Sequence, residues 1–347
     1  QWILTASFGL ATVAPVYAQS VNSHIMLLAV STWMMLGIIG LKNLASSAGD
    51  RPVFSSFNLC MVGLGTLSGL AYSIDLGTGP MLFGVTFMYV IYRCRQWQPV
   101  ALFFMAALPW LALHHAVNYA VGGSWKPANA IAEHFLWPGC PFSQENMTGS
   151  WAHGGLLHFL TYAAQMLLGN HGFLGHNLPL LVGVIAGIVM LKRRHPETPE
   201  VVWAFACSML TWLVYAWHSN NYSGNCCTIR WFVPLLAQGY FVLALALRRS
   251  SGYQAHIVFF SIWGAFQVGM MWWEGPWMMR MVPGYWGIQG AVLVSYVVYI
   301  VWRAERRMPP DEMIHLPRAH HADTTHHYLG RRHWRLRSTH RSNAAAR

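Results

Sequence analysis

The chain has 347 residues, 55% of them hydrophobic and only 10% charged, against about 25% charged in an ordinary soluble domain, so a soluble globular fold is excluded. The formal net charge is +11, but the basic residues gather between apolar stretches and in the C-terminal tail. That distribution points to membrane topology and anionic lipid and argues against nucleic acid as a partner.

A helix needs about 20 mostly apolar residues to cross a hydrocarbon layer roughly 30 Å thick, somewhat fewer where the bilayer thins. Ten stretches are read as spans: Trp2–Tyr17, Ile25–Leu41, Leu59–Ile74, Met81–Tyr92, Val100–Ala120, Leu178–Leu191, Val201–Trp217, Trp231–Leu247, Ile257–Trp273 and Tyr285–Trp302. The expected fold class is therefore all-α, a polytopic integral membrane domain over residues 1–302. A basic, His- and Arg-rich tail, 303–347, follows it. The first residue is Gln, no charged segment stands between it and the first apolar stretch, and no small-residue cleavage site followed by a soluble domain is seen. The expectation is a chain that starts inside a longer protein.

Lys and Arg fall on alternate connections. Lys42, Arg51, Arg93, Arg95, Lys192, Arg193, Arg194, Arg248, Arg249 and the tail occupy one set, and only Lys126, Arg230 and Arg280 of the 22 occupy the other. Positive charge near span ends stays cytoplasmic, which assigns Ala18–His24, Asp75–Pro80, Val121–Asn177, His218–Arg230 and Glu274–Gly284 to the outside. The tail carries seven His, from His315 to His340, without fixed ligand spacing, and reads as a lipid-facing extension in preference to a metal site. Cys140, Cys226 and Cys227 lie on outward loops. A bridge from Cys140 to one of the adjacent pair is favoured over a strained bond within the pair.

Ionisable groups at membrane depth are costly, so where they collect is a pointer to a site. They collect on the outward side. The longest outward element, 121–177, contains Leu156, Leu157, Leu160, Ala164, Leu167 and Leu168 at helical spacing, which predicts an amphipathic interfacial helix or a short re-entrant one. After it come Gly169, Asn170, His171, Gly172, Phe173, Leu174, Gly175 and His176. Glycines there let backbone N–H groups approach a phosphate, although a capped Gly-rich turn explains the same residues and is favoured on sequence alone. Arg230 sits where a span begins, and a guanidinium at that depth pairs with a phosphate or with an acid, Glu274 or Asp75. Asp75, at a span end, reads as a base, a sugar-hydroxyl acceptor or a turn-forming residue.

These motifs resemble one family. Asn22-Ser23-His24 is similar to the Asn-Asn-His segment of multi-spanning glycosyltransferases of the GT-C type, of the mannosyltransferase and aminoarabinose-transferase kind. His171-Gly172-Phe173 with Leu178-Pro179-Leu180-Leu181 resembles their Gly-His-His-Gly-Leu-Phe and Pro-Leu-Leu stretch. Ser223 through Arg230-Trp231-Phe232-Val233-Pro234 resembles their Gly-Gly-Trp-Ser-Tyr-Gly-Pro-Arg-Tyr-Leu-Leu-Pro segment, with Cys227-Thr228-Ile229 in place of Tyr-Gly-Pro and Asn170 in place of one His. The resemblance implies transfer of a sugar from a polyprenyl-phosphate donor to an acceptor of undefined identity. It also implies a bacterial cytoplasmic membrane with the active face outward. Arg230, His171, His176, Lys126 and His24 would take the lipid phosphate and donor, and Asp75 and Glu133 would serve as acids for the sugar or acceptor. The family's essential Asp lies in its first outward loop, for which the expected place is upstream of Gln1. No cofactor is implied beyond a divalent metal, which the motifs leave open. A transporter or a non-catalytic membrane protein is the rival reading.

Overall fold

The computed structural model describes residues 1–45, 55–94, 96–127, 131–135, 137–140, 153–224, 226–277 and 282–306. Arg51, Arg95, Arg280 and the tail beyond Arg306 lie outside them, as does the metal reading of that tail. Among the described residues there are helices and turns and no strands. By packing the chain divides into two units, Gln1–Tyr296 and Val297–Arg347; the described part of the second is the last turns of a helix.

In chain order the helices are α1 (Trp2–Leu10), α2 (Ala14–Ala18), α3 (Ser23–Ala45), α4 (Ser56–Ile74), α5 (Gly79–Cys94) and α6 (Trp97–Gly122). After a short 3-10 turn at Ala132–Phe135 come α7 (Leu156–Leu168), α8 (Phe173–His176), α9 (Pro179–Lys192) and α10 (Thr198–His218). A second 3-10 turn, Arg230–Leu235, leads into α11 (Leu236–Arg249), followed by α12 (Gly252–Glu274) and α13 (Tyr285–Glu305).

Seven of these segments are long and apolar enough to cross a membrane, or eight if the bent pair Leu156–His176 and Pro179–Lys192 forms one span. Among the described residues, length and composition thus support seven or eight of the ten expected spans. The first stretch breaks at residues 11–13 into α1 and α2, where Val13 N–H donates to Asn177 Oδ1 at 3.0 Å and Ala14 N–H to Thr12 Oγ1 at 3.3 Å. The stretch at 81–92 belongs to a helix of 16 residues, and that at 178–191 to one of 14, bent by 105° from the helices before it.

Apolar surface that no described residue covers suits lipid as the solvent. In the most apolar stretch of α6, and in that of α13, only 11% is buried. In water such helices would leave contiguous hydrophobic faces exposed far beyond what soluble monomers tolerate. The leucines of α7 behave the same way. Leu156, Leu157, Leu160 and Leu168 are exposed, while Tyr162, Ala163 and Met166 face the protein.

Two apolar cores organise the first unit. One gathers α2, the α7–α9 segment, α11 and α12 around Tyr17, Met166, Phe232 and Leu243; the other gathers α3, α4, α5, α6 and α10 around Met34, Met61, Phe103 and Trp203. Helices α4 and α6 pack through Gly65 and Gly69, one turn apart on α4. A Cβ at Gly65 would stand 2.1 Å from the Phe103 carbonyl oxygen, and one at Gly69 would stand 2.6 Å from that of Ala107. Small residues at this spacing allow backbones to touch where the hydrophobic effect offers helices no drive to associate.

Candidate functional site

The end of the first unit where α2, the start of α3, the α4–α5 link, the end of α10 and the 219–230 loop converge brings together His24, Asp75 and Arg230. Asp75 is the C-terminal cap of α4. Its Oδ1 accepts from Gly77 N–H at 3.0 Å, Thr78 N–H at 2.6 Å and the Tyr215 hydroxyl at 2.9 Å. Oδ1 is thus occupied in shaping the turn into α5. Oδ2 has a different neighbour, His24 Nδ1 at 3.9 Å, a separation too long for a hydrogen bond. His24 is buried, and its Nδ1 has no hydrogen-bond partner.

The frame around this pair is rigid. Tyr215 stacks on Trp231, with ring centroids 4.3 Å apart and planes 6° from parallel, and Thr78 Oγ1 donates to the Trp231 carbonyl at 3.2 Å. Asn22 Oδ1 caps α3, accepting from the His24 and Ile25 N–H groups at 3.1 and 3.0 Å. A cap of this kind fixes the first turn of the helix and therefore the direction of the His24 side chain.

Arg230 opens the 3-10 turn before α11. Its guanidinium carbon lies 5.3 Å from the centroid of the Trp277 ring, and its Nε is buried without a hydrogen-bond partner. Among the described residues it makes no ion pair. The sequence-based alternatives of a pairing with Glu274 or Asp75 are both absent. The charge is nevertheless close enough to act on His24, Tyr215 and the Cys226 thiol. A guanidinium and an imidazole, both with unpartnered buried nitrogens beside one free carboxylate oxygen, form a place where an anionic oxygen gains hydrogen bonds that the protein does not supply.

The loop that delivers Arg230 is held tightly. Tyr222, Ser223 and Gly224 have φ of 49°, 70° and 76°, and left-handed backbone at two successive non-glycine residues persists only where surroundings impose it. They do so here. Ser223 Oγ accepts from Arg230 N–H at 3.1 Å, and Tyr17 donates to the Thr228 carbonyl at 2.7 Å. The His171 carbonyl accepts from Ile229 N–H at 3.0 Å and from Thr228 Oγ1 at 2.9 Å, and His171 Nδ1 donates to the Cys226 carbonyl at 3.0 Å.

Other residues anticipated from sequence are placed differently. His171 clamps the Arg230 loop and stacks on Tyr222, with centroids 5.9 Å apart. His176 is wholly buried in α8, donates from Nδ1 to the Gly172 carbonyl at 2.7 Å, and stacks on Tyr285. The neighbouring glycines are required by close packing: a Cβ at Gly172 would meet backbone nitrogens of Leu168 and Gly169 at 2.6 Å, and one at Gly175 would meet the Tyr285 hydroxyl at 2.0 Å. Glu133 and Lys126 stand exposed beyond α6, and among the described residues neither pairs with the Asp75 group. Leu178–Pro179 starts α9 as the sequence implies.

All six cysteines are free thiols, which corrects the expected bridge from Cys140. Cys226 and Cys227 point inward, with Cys227 Sγ 3.8 Å from the Tyr17 hydroxyl. Burial pushes both thiols up, Cys227 to about 11. Among the described residues no group of three or more His, Cys, Asp or Glu could hold a metal ion.

Residues that sequence reasoning passed over also matter. Tyr215, Trp231, Thr78 and Trp277 frame the site but read in isolation as interfacial aromatics and turn residues. At the opposite ends of the helices, Glu197 and Glu200 were missed. The only signal for them was a pair of acids flanking Pro199 at a helix start, a pattern that favours negative charge there. No family model matches this chain, and neither does any curated protein or solved structure.

Proposed function

We propose that this chain is the membrane-embedded part of a GT-C type glycosyltransferase that moves a sugar from a polyprenyl-phosphate donor to an acceptor outside the cytoplasm. On this reading the His24–Asp75–Arg230 end of the bundle faces outward and the Lys- and Arg-rich ends face the cytoplasm. The observation that carries the reading is Arg230: a cation held over Trp277, without a carboxylate partner among the described residues, beside a buried imidazole whose Nδ1 lacks a hydrogen-bond partner there.

In the reaction the acceptor oxygen attacks the anomeric carbon. The bond from that carbon to the phosphate oxygen breaks, and the acceptor proton passes to a base. Arg230 would neutralise charge growing on the departing lipid phosphate and the His24 imidazole would donate a hydrogen bond to it, where a preorganised donor acts most strongly. Asp75 Oδ2, the free oxygen of that carboxylate, would accept from a sugar or acceptor hydroxyl. On this reading His171 acts by holding the Arg230 loop, while Lys126, Glu133 and the buried His176 stand apart from the Asp75 group and take no part in the step.

The test is product formation in membranes holding the full-length protein, with a radiolabelled polyprenyl-phosphate sugar. Arg230→Ala is expected to lower kcat by at least tenfold with unchanged protein level, and wild-type turnover by the variant would remove Arg230 from the chemistry. The 105° bend between α8 and α9 favours a second reading, a transporter, since broken helices line transport sites. Uptake of solute into proteoliposomes without any covalent product would establish it.

A further inference from the structure

A second constellation lies at the other end of the helices. Glu197, 7% exposed, accepts from Arg248 Nη2 at 3.1 Å and Arg249 Nη2 at 3.2 Å; it also pairs with His195, and Lys42 Nζ lies 3.5 Å away. One turn on, Glu200 pairs with Arg93 and accepts from the Tyr89 hydroxyl at 2.5 Å. Among the described residues Lys42, Arg93, Arg248 and Arg249 therefore face two carboxylates. The excess charge is positive and accessible, since the Arg248 side chain is 73% exposed while one of its nitrogens is anchored.

An apolar groove of about 690 Å³ opens beside this cluster, between α5 and α10. It runs from Pro80 to Tyr92 along α5, and its lining includes Thr198, the residue after Glu197, and Tyr89, which donates to Glu200. At about 1.5 Å per residue those twelve steps span roughly 18 Å, close to the roughly 15 Å of one leaflet of the hydrocarbon layer. The volume falls within the roughly 300–1,000 Å³ of ordinary ligand sites. Its wall is interrupted at Gly84, where an added Cβ would meet nothing within 4 Å. Thr198 Oγ1 is buried without a hydrogen-bond partner. A free hydroxyl and surplus cations at one end of a leaflet-long apolar channel are the two halves of a lipid site. A zwitterionic headgroup carries the same phosphate but adds a cation that the surplus Lys and Arg repel.

We propose that the protein holds one anionic glycerophospholipid here, an acyl chain lying in the α5–α10 groove and the phosphate on the Lys42, Arg248 and Thr198 groups. The site is separate from the Arg230 end and does not depend on the transferase reading. Clusters of Lys and Arg at a membrane boundary attract acidic headgroups, and the groove adds a fixed position that charge alone does not give.

The experiment is native mass spectrometry of the full chain released from nanodiscs of equimolar phosphatidylglycerol and phosphatidylcholine. The wild type is expected to retain one phosphatidylglycerol per chain in at least tenfold preference. Gly84→Leu fills the groove from an unobstructed position and is expected to cut retention at least tenfold, whereas Gly84→Ala keeps it. Lys42→Gln with Arg248→Gln is expected to keep a lipid but lose the headgroup preference. Equal retention of the two lipids by the wild type, or undiminished retention by Gly84→Leu, would overturn the proposal. Should Gly84→Leu fail to fold, the wild-type preference and its loss in the charge variant still decide.

Discussion

Tyr215 donates its phenolic proton to Asp75 Oδ1 at 2.9 Å while its ring lies flat against Trp231, so a side chain near the end of α10 fixes the carboxylate at the end of α4. The two functions of this tyrosine are separable. Tyr215→Phe keeps the stacked ring and removes one donor to a carboxylate, and should cost about 1.5–3 kcal/mol, whereas Tyr215→Ala also opens a cavity and should cost about 3–5 kcal/mol. Unfolding midpoints in mixed micelles check the difference; equal losses would mean that the hydrogen bond carries the whole effect.

Gly65 offers a sharper stability test. With a Cβ only 2.1 Å from the Phe103 carbonyl oxygen, Gly65→Ala forces α4 and α6 apart, and should destabilise by about 1–3 kcal/mol despite the better helix propensity of alanine. Gly63→Ala meets nothing within 4 Å and should be neutral or stabilising. The thermal unfolding of the two variants in one detergent gives the comparison.

Thiol labelling tests the loop that carries Arg230. Cys226 and Cys227 are 1% and 2% exposed and their pKa values are raised by burial, so at pH 7.5 both are neutral, inaccessible thiols. A raised pKa places the thiolate only at high pH, which for Cys227 means towards pH 11. Folded protein should therefore react with N-ethylmaleimide at Cys140 long before the adjacent pair, and its mass should not change on reduction. Rapid labelling of the pair at neutral pH would contradict the packed loop.

The charged cluster around Glu197 should depend on salt. Glu197→Gln leaves Lys42, Arg248 and Arg249 facing one another, and should cost about 1–3 kcal/mol, between the values for exposed and buried pairs because Arg248 is largely exposed. Screening weakens the repulsion, so the deficit should shrink as ionic strength rises from 0.01 M to 1 M. A salt-independent loss would show that packing and not charge is at stake.

Much of the fold was legible in the sequence because helix length and apolarity are local. The segments at 25–41, 59–74, 100–120 and 257–273 all fall inside long helices. The break after Leu10 had a local signal that was passed over, Gly9 before it and Pro15 in the first turn of α2; the contact that fixes it, Val13 N–H donating to the Asn177 side chain 164 residues away, was not legible. His24, Asp75 and Arg230 were picked out one by one from their places at span ends. Their convergence was not, since only the packing of α3, α4 and α10 against the 3-10 turn at 230–235 brings them together. Glu197 and Glu200 escaped for a related reason: Lys42, Arg248 and Arg249 read fully as topology signals, which concealed that a carboxylate organises them.

The proposal for Arg230 is tested most directly by the affinity of the full-length protein for a polyprenyl phosphate, measured in detergent by microscale thermophoresis for the wild type, Arg230→Lys and Arg230→Ala. Removing a partly buried cation from a phosphate costs about 2–5 kcal/mol, which is at least tenfold in Kd. The account predicts that loss for Arg230→Ala and a partial recovery for Arg230→Lys, which keeps the charge but not the planar fork stacked on Trp277. Equal Kd values for all three proteins would contradict it.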